Sequence, residues 1–198
     1  MYGEDMYKNW LSEIPNTLNI VLDIGSNYGE FIHLLNNKKI NELHYFEPDV
    51  DNFKKCSKLM SEYDFTHGHN YGIFYGVKES KVQGVGDNND GGYMVSEINK
   101  EFKDEVWGDK IETYDGKIFK LETLEYFLDS PADLVKIDVE ASEYNILENS
   151  ELIKKSKVIF VEWHNKPISF VEEFIKQNLS MYEIHSQYEQ HTFLKLKD

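Results

Sequence analysis

Five short apolar runs, each followed at once by polar residues, constrain this chain more than any other feature. They are "LNIVLDIG" (18–25), "ELHYFEP" (42–48), a weaker run near 64–70, "DLVKIDV" (133–139) and "KVIFVEW" (157–163). Runs this short and this apolar suit strands buried on both faces. The stretches between the first three, and between the last two, carry helical spacing. That rhythm predicts an α/β fold, a doubly wound and mostly parallel sheet. The chain closes with "YEIHSQYE" and "HTFLKLK", two alternating runs that predict an antiparallel pair at one sheet edge.

The remaining elements follow from local signals. Residues 4–13 read as a short helix ending before Pro15, and 30–37 as helical at Phe31, Leu34 and Leu35. Residues 50–63 read as an amphipathic helix with Val50, Phe53, Leu59 and Met60 near one face. The segment 71–98 is punctuated by glycine and reads as hairpin material, and 109–121 as a further hairpin turning at Asp115-Gly116. Helices are expected at 122–131, ended by Pro131, at 141–150, and at 168–179 after Pro167. With 198 residues the chain makes one domain. Within it, 1–17 is an N-terminal helix and 71–121 is a hairpin and loop insertion on the acceptor side.

Charge and cysteine usage narrow the function classes. The formal net charge is −15. That opposes a nucleic-acid backbone or an anionic membrane surface, both of which need clustered Lys and Arg. No apolar segment is long enough for membrane insertion. The single Cys56 excludes an intramolecular disulfide and fits a reducing, cytoplasmic location. Oligomeric state is not legible.

In an open parallel sheet, ligands bind beyond the carboxyl ends of the strands. The polar residues after the five runs therefore converge on one rim. They are Asp23 with "GSNYG"; Glu47; His67, His69 and Asn70; Asp138 and Glu140; and Glu162, His164 and Asn165. Gly25 and Gly29 let the first turn bend sharply. Glu47 can accept both hydroxyls of a ribose. A nicotinamide dinucleotide would want Gly at Asn27 and at Glu30, and a carboxylate at position 30 would repel its pyrophosphate. S-adenosylmethionine carries no phosphate and suits Asp23, the 25–29 turn and Glu47 better. An oxidoreductase and a non-catalytic binding module remain the alternatives.

The order of "VLDIGSNYGEF", "LHYFEPD", "FKLETLEYF", "LVKIDVEASEYNIL" and "VIFVEWHN" resembles the FkbM family of S-adenosylmethionine-dependent methyltransferases, over about residues 18–165. The resemblance implies the class I methyltransferase fold, Rossmann-like, with seven strands and an antiparallel final strand. It implies O-methylation, often of a sugar or glycan hydroxyl. The cofactor side is then Asp23, Gly25, Ser26, Asn27, Tyr28, Gly29, Glu47, Pro48, Asn70, Tyr71 and Asp138. One position departs: the family usually has Gly after the second acid of "KIDVE", and here Ala141 stands.

A hydroxyl is a poor nucleophile and needs a base or a metal. Asp138, Glu162 and His164 end neighbouring strands and offer two carboxylates and an imidazole, a set that suits Mg2+ or Mn2+. Alternatively His164 is the general base without a metal, or Glu162 and His164 simply pair at the strand end. Glu140, on the face of Asp138 if the strand extends that far, orients a ligand or touches the substrate. Glu143 reads as a helix-start charge. His67 and His69 read as turn or rim residues, since a zinc site would need more ligands. "GDNNDGG" (86–92) lacks the Glu of a calcium loop and reads as a multi-turn, acceptor-side loop. Tyr71, Phe74, Tyr75 and Tyr93 read as packing, and Trp163 as either packing or site.

Overall fold

The computed structural model describes residues 2–85, 93–95, 111–112, 117–164 and 166–197. The loop 86–92, Asn165 and the turn at 115–116 lie outside the described residues, as does the side chain of Tyr93.

Seven strands form the main sheet: β1 (Thr17–Ile24), β2 (Lys39–Phe46), β3 (Thr66–His69), β9 (Leu134–Ile137), β10 (Val158–Glu162), β11 (Tyr182–Tyr188) and β12 (His191–Leu196). Their order is β11-β12-β10-β9-β1-β2-β3. β3, β2, β1, β9 and β10 are mutually parallel, and β12 runs antiparallel between β10 and β11. The expected sheet and its closing antiparallel pair are therefore present.

The helices cover both faces because alternate strand residues point to opposite sides. Leu22, Ile24, Val135, Ile137, Ile159 and Val161 pack against Ile146 and Leu147 of α4 (Glu143–Asn149) and Val171 and Phe174 of α5 (Ile168–Asn178). Val21, Leu134, Val158 and Phe160 pack instead against α1 (Tyr2–Ser12), α2 (Phe31–Leu34) and α3 (Val50–Met60). Burying one such Leu, Ile or Phe side chain contributes about 1.5–3 kcal/mol. Asp49 caps α3 by accepting from the N–H groups of Asp51 and Asn52 at 3.0 Å. Cys56 and Met60 form its buried face, while Val50, expected there, is exposed.

The insertion makes a second, smaller sheet. It comprises β4 (Gly72–Ile73), β5 (Glu79–Val85), β6 (Tyr93–Val95), β7 (Ile111–Glu112) and β8 (Ile118–Glu122). Among the described residues β7 and β8 each pair with β5, and the turn of the expected 109–121 hairpin lies outside them. The expected 122–131 helix shrinks to one 3-10 turn, Leu124–Tyr126. No described helix is long and apolar enough to cross a membrane.

Candidate active site

The parallel register aligns Asp23 of β1 with Lys136 of β9. Both are buried, and Lys136 Nζ lies 3.3 Å from Asp23 Oδ1 and 3.4 Å from Asp138 Oδ2. The same ammonium donates to the carbonyl of Gly25 at 2.9 Å. Burial opposes its charge, but Asp23 and Asp138 outweigh that and hold Lys136 protonated. Burial also raises the Asp23 carboxyl, with Lys136 pulling the other way. One lysine thus ties together the first turn and two of the expected acids. Lys136 is not among the residues expected at the site, although a lone Lys inside an apolar strand is a signal for such a role.

Gly25 has φ +80°, and a Cβ there would sit 1.8 Å from the Asp138 carbonyl oxygen. Its close approach is to the backbone just after β9. Gly29 has φ +88° and packs on Cys56, Met60 and Leu59. Asn27 completes the turn at φ +48°. The Glu47 carboxylate accepts from the Asn27 and Asp49 N–H groups, each at 2.9 Å. Burial pushes it up to about 7 despite those bonds. Each of its oxygens retains a lone pair, so the group still fits a ribose. Asn70 donates to the carbonyls of Glu47 (2.9 Å) and Pro48 (3.2 Å), fixing that strand end. Tyr71 stacks edge-on against Phe127. Asn70, Pro48 and Tyr71 therefore shape the rim around Glu47 rather than the cavity described next.

A cavity of about 870 Å3 opens beside the turn, lined by Tyr7, Ser26, Asn27, Tyr28, Lys136, Asp138, Glu162 and His191 among others. This volume matches a small-molecule site. Tyr7, from the N-terminal helix, packs edge-to-face on Phe31 and His191. Neither Tyr7 nor His191 was expected here.

His164 is the centre of the acidic cluster. Its Nδ1 is hydrogen-bonded to Glu143 Oε1. Its Nε2 lies 3.7 Å from Glu140, 3.8 Å from Glu162 and 4.0 Å from Asp138. Burial opposes the imidazolium, but Glu143, Glu140 and Asp138 prevail and raise His164 to about 10. Burial raises Glu140 to about 7, with His164 pulling it down. Burial would also raise Glu162, but its pairing with His191 at 3.2 Å holds it at about 2. Glu143 is fully buried, so it is the partner of His164 and not a helix-start surface charge. Glu162 pairs with His191 and Gln190 rather than forming the expected hydrogen-bonded pair with His164. β9 ends at Ile137, so Glu140 reaches His164 from a turn and not from the strand. That turn is left-handed at Glu140 (φ +50°) and Ala141 (φ +75°).

Asp138, Glu162 and His164 can present one donor atom each within 4.8 Å of one another. The Glu143 bond to Nδ1 leaves Nε2 toward the acids, the orientation a metal-ligating imidazole usually has. Two carboxylates and an imidazole serve a divalent ion only when the imidazole is neutral, whereas the surrounding acids keep His164 protonated.

His67 and His69 lie elsewhere, on the β2–β3 edge. With His44 they form a stacked ladder backed by Phe46 and Phe127. Burial holds His69 down at about 4 and lowers His44 as well. Phe74 is buried, and Trp163 is core, donating from its indole to Thr192 at 2.8 Å.

Residues 23–193 match the family model described as the methyltransferase FkbM domain. Comparison with curated proteins gives no match. Among solved structures, the methyltransferase FkbM of Methylobacillus flagellatus superposes with a TM-score of 0.58 at 15% identity, covering 92% of this chain and 44% of that one. This chain thus spans less than half of that protein. Sp1610 of Streptococcus pneumoniae, in complex with S-adenosyl-L-methionine, gives 0.58 at 8% identity, covering 100% and 73%. An rRNA methylase of Streptococcus thermophilus gives 0.51 at 11% identity, covering 98% and 95%. At these identities the superpositions establish the fold.

Proposed function

The chain belongs to the FkbM methyltransferase family, and from that premise we propose that it transfers a methyl group from S-adenosylmethionine to a hydroxyl oxygen of a sugar or glycan. The observation that carries this reading is the ring of Asp138, Glu140 and Glu162 around His164 Nε2. S-adenosylmethionine supplies a methyl group already activated on a sulfonium. The chain must place an acceptor oxygen in line with it and take its proton.

In this reading the turn at 25–29 and Glu47 hold the donor, the buried Asp23 supports that turn through Lys136, and Asp138 and Glu162 are carboxylates on the cavity wall that can face its positive charge. Asp138 lies between the donor turn and the His164 cluster. Glu140, raised to about 7, is poised to accept the hydroxyl proton near neutral pH. His164 is charged in this environment, so it orients and balances the acids. If a divalent ion takes part, Asp138, Glu162 and a neutral His164 would hold it, and it would supply Lewis-acid stabilisation of the acceptor alkoxide. The small sheet of the insertion would line the acceptor side. A net charge of −15 favours a neutral acceptor over RNA.

The test is a labelled-methyl transfer screen over sugars, glycans, RNA and protein, with Mg2+ or Mn2+ and after exhaustive chelation. Transfer to a sugar hydroxyl is expected. Transfer to RNA or protein alone would overturn the acceptor class. Full activity after chelation would remove the metal. Neither donor binding by calorimetry nor transfer to any acceptor would sink the whole reading.

A further inference from the structure

The β2–β3 edge carries a second set of donors, remote in sequence from the His164 cluster. Glu42 and His44 share a face of β2, and His67 is the register partner of His44 on β3. These three can present one donor atom each within 4.8 Å of one another. His44 is the fixed member. It is buried, its ring stacks on His67 at 4.7 Å and on His69 at 5.4 Å, and its Nδ1 is hydrogen-bonded to His69 Nε2 at 3.1 Å. Its other nitrogen, Nε2, is buried without a hydrogen bond and lies 3.5 Å from Glu42 Oε2. A buried, orphaned ring nitrogen beside a carboxylate is costly unless something bridges them.

We propose that Glu42, His44 and His67 form a zinc site that clasps the edge strand β3 to β2. Two imidazoles and one carboxylate are an established zinc donor set, with water as the fourth ligand. Donors about 2 Å from an ion lie at most about 4 Å apart. Rotation of the exposed Glu42 and His67 side chains closes the remaining gap, while His44 stays in place. His69 is the outer partner: when His44 Nδ1–H donates to it, the His44 Nε2 lone pair is free for the ion. The clasp has a mechanical use. β3 has four residues and, among the described residues, only β2 as a paired neighbour, and it leads directly into Asn70. In the sequence His67 and His69 lack further ligands; the register supplies His44 and Glu42.

This site does not rest on the methyl-transfer reading. The test is Zn2+ calorimetry and Co2+ visible absorption on the full chain, on His67→Ala and on Glu42→Gln. Both substitutions are at exposed positions, and the His164 cluster is intact in all three proteins. Each variant is expected to lose one equivalent of bound metal, or at least about tenfold in affinity at that equivalent. Zn2+ should raise the thermal midpoint of the unsubstituted chain by about 3 °C or more beyond any rise in His67→Ala. Equal stoichiometry and affinity in all three proteins would overturn the proposal. So would a Co2+ spectrum that His67→Ala leaves unchanged.

Discussion

The buried carboxylate of Glu143 is hydrogen-bonded to Nδ1 of His164, and it leads the acids that keep this imidazole charged. His164 rises from 6.5 to about 10 in the folded chain. Its raised value contributes stability that is complete below pH 6.5 and lost as pH rises through about 10. Stability should therefore fall by a few kcal/mol at most between those limits, each tenfold gain in proton affinity on folding being worth about 1.4 kcal/mol. In Glu143→Gln that fall should shrink to less than half. Urea midpoints at pH 6 and pH 9.5, in chelator, check this; an unchanged slope would show that Glu143 does not set the His164 charge.

Glu140, like Glu47, is raised chiefly by burial to about 7, and of the two it is the one beside His164. As the proton acceptor it must be ionised, so turnover should rise with pH through about 7. Glu140→Gln should lower turnover about 10²–10⁴-fold and leave donor affinity within twofold. The check is a pH–rate profile beside donor calorimetry. A variant with full turnover would exclude Glu140 as the base.

Lys136 is the only cation among the described residues that reaches both Asp23 and Asp138. Lys136→Met keeps most of the side-chain volume but leaves the fully buried Asp23 without a counter-charge. Removing one partner of a buried pair costs about 3–5 kcal/mol. Chemical denaturation of the variant should show a loss of that order. A loss under about 1 kcal/mol would mean that Asp23 is protonated and neutral in the fold.

Glu47 has two structural partners, the Asn27 and Asp49 N–H groups. Glu47→Ala strands both donors, at about 1–3 kcal/mol each if they stay buried. It should also weaken donor binding at least tenfold, because the turn loses its anchor and the ribose its acceptor. Glu47→Gln separates the two effects: it keeps one acceptor oxygen and should recover stability more than affinity. Calorimetry and denaturation of both variants read the split.

The sheet was legible because β1, β9 and β10 are short, mostly apolar and largely buried, and such runs have few other uses. Its acids were legible because strand ends converge. What was hidden lies in partnership. Glu143 sits at a helix start, where sequence cannot distinguish a solvated charge from a buried one aimed at residue 164. Lys136 and Asp23 meet only through register. His44 lies inside a strand, and its meeting with His67 follows only from the β2–β3 register.

Ala141 stands where the family resemblance implies Gly, and the backbone there is left-handed, a conformation that suits Gly better. The residue is 2% exposed and holds φ +75°, directly after Glu140 at φ +50°. An L-residue in that region costs roughly 1–2 kcal/mol, whereas glycine adopts it freely. Ala141→Gly should relieve the strain and lose only a methyl group and some unfolded-state restriction, which offset part of the gain. The net expected change is a stabilisation of about 0.5–1 kcal/mol, read as a higher urea midpoint at unchanged slope. Glu140 rides on the same turn, so turnover should change less than threefold if Ala141 merely tolerates the conformation. A variant that gains stability yet loses turnover tenfold would show instead that the strained alanine holds Glu140 against His164.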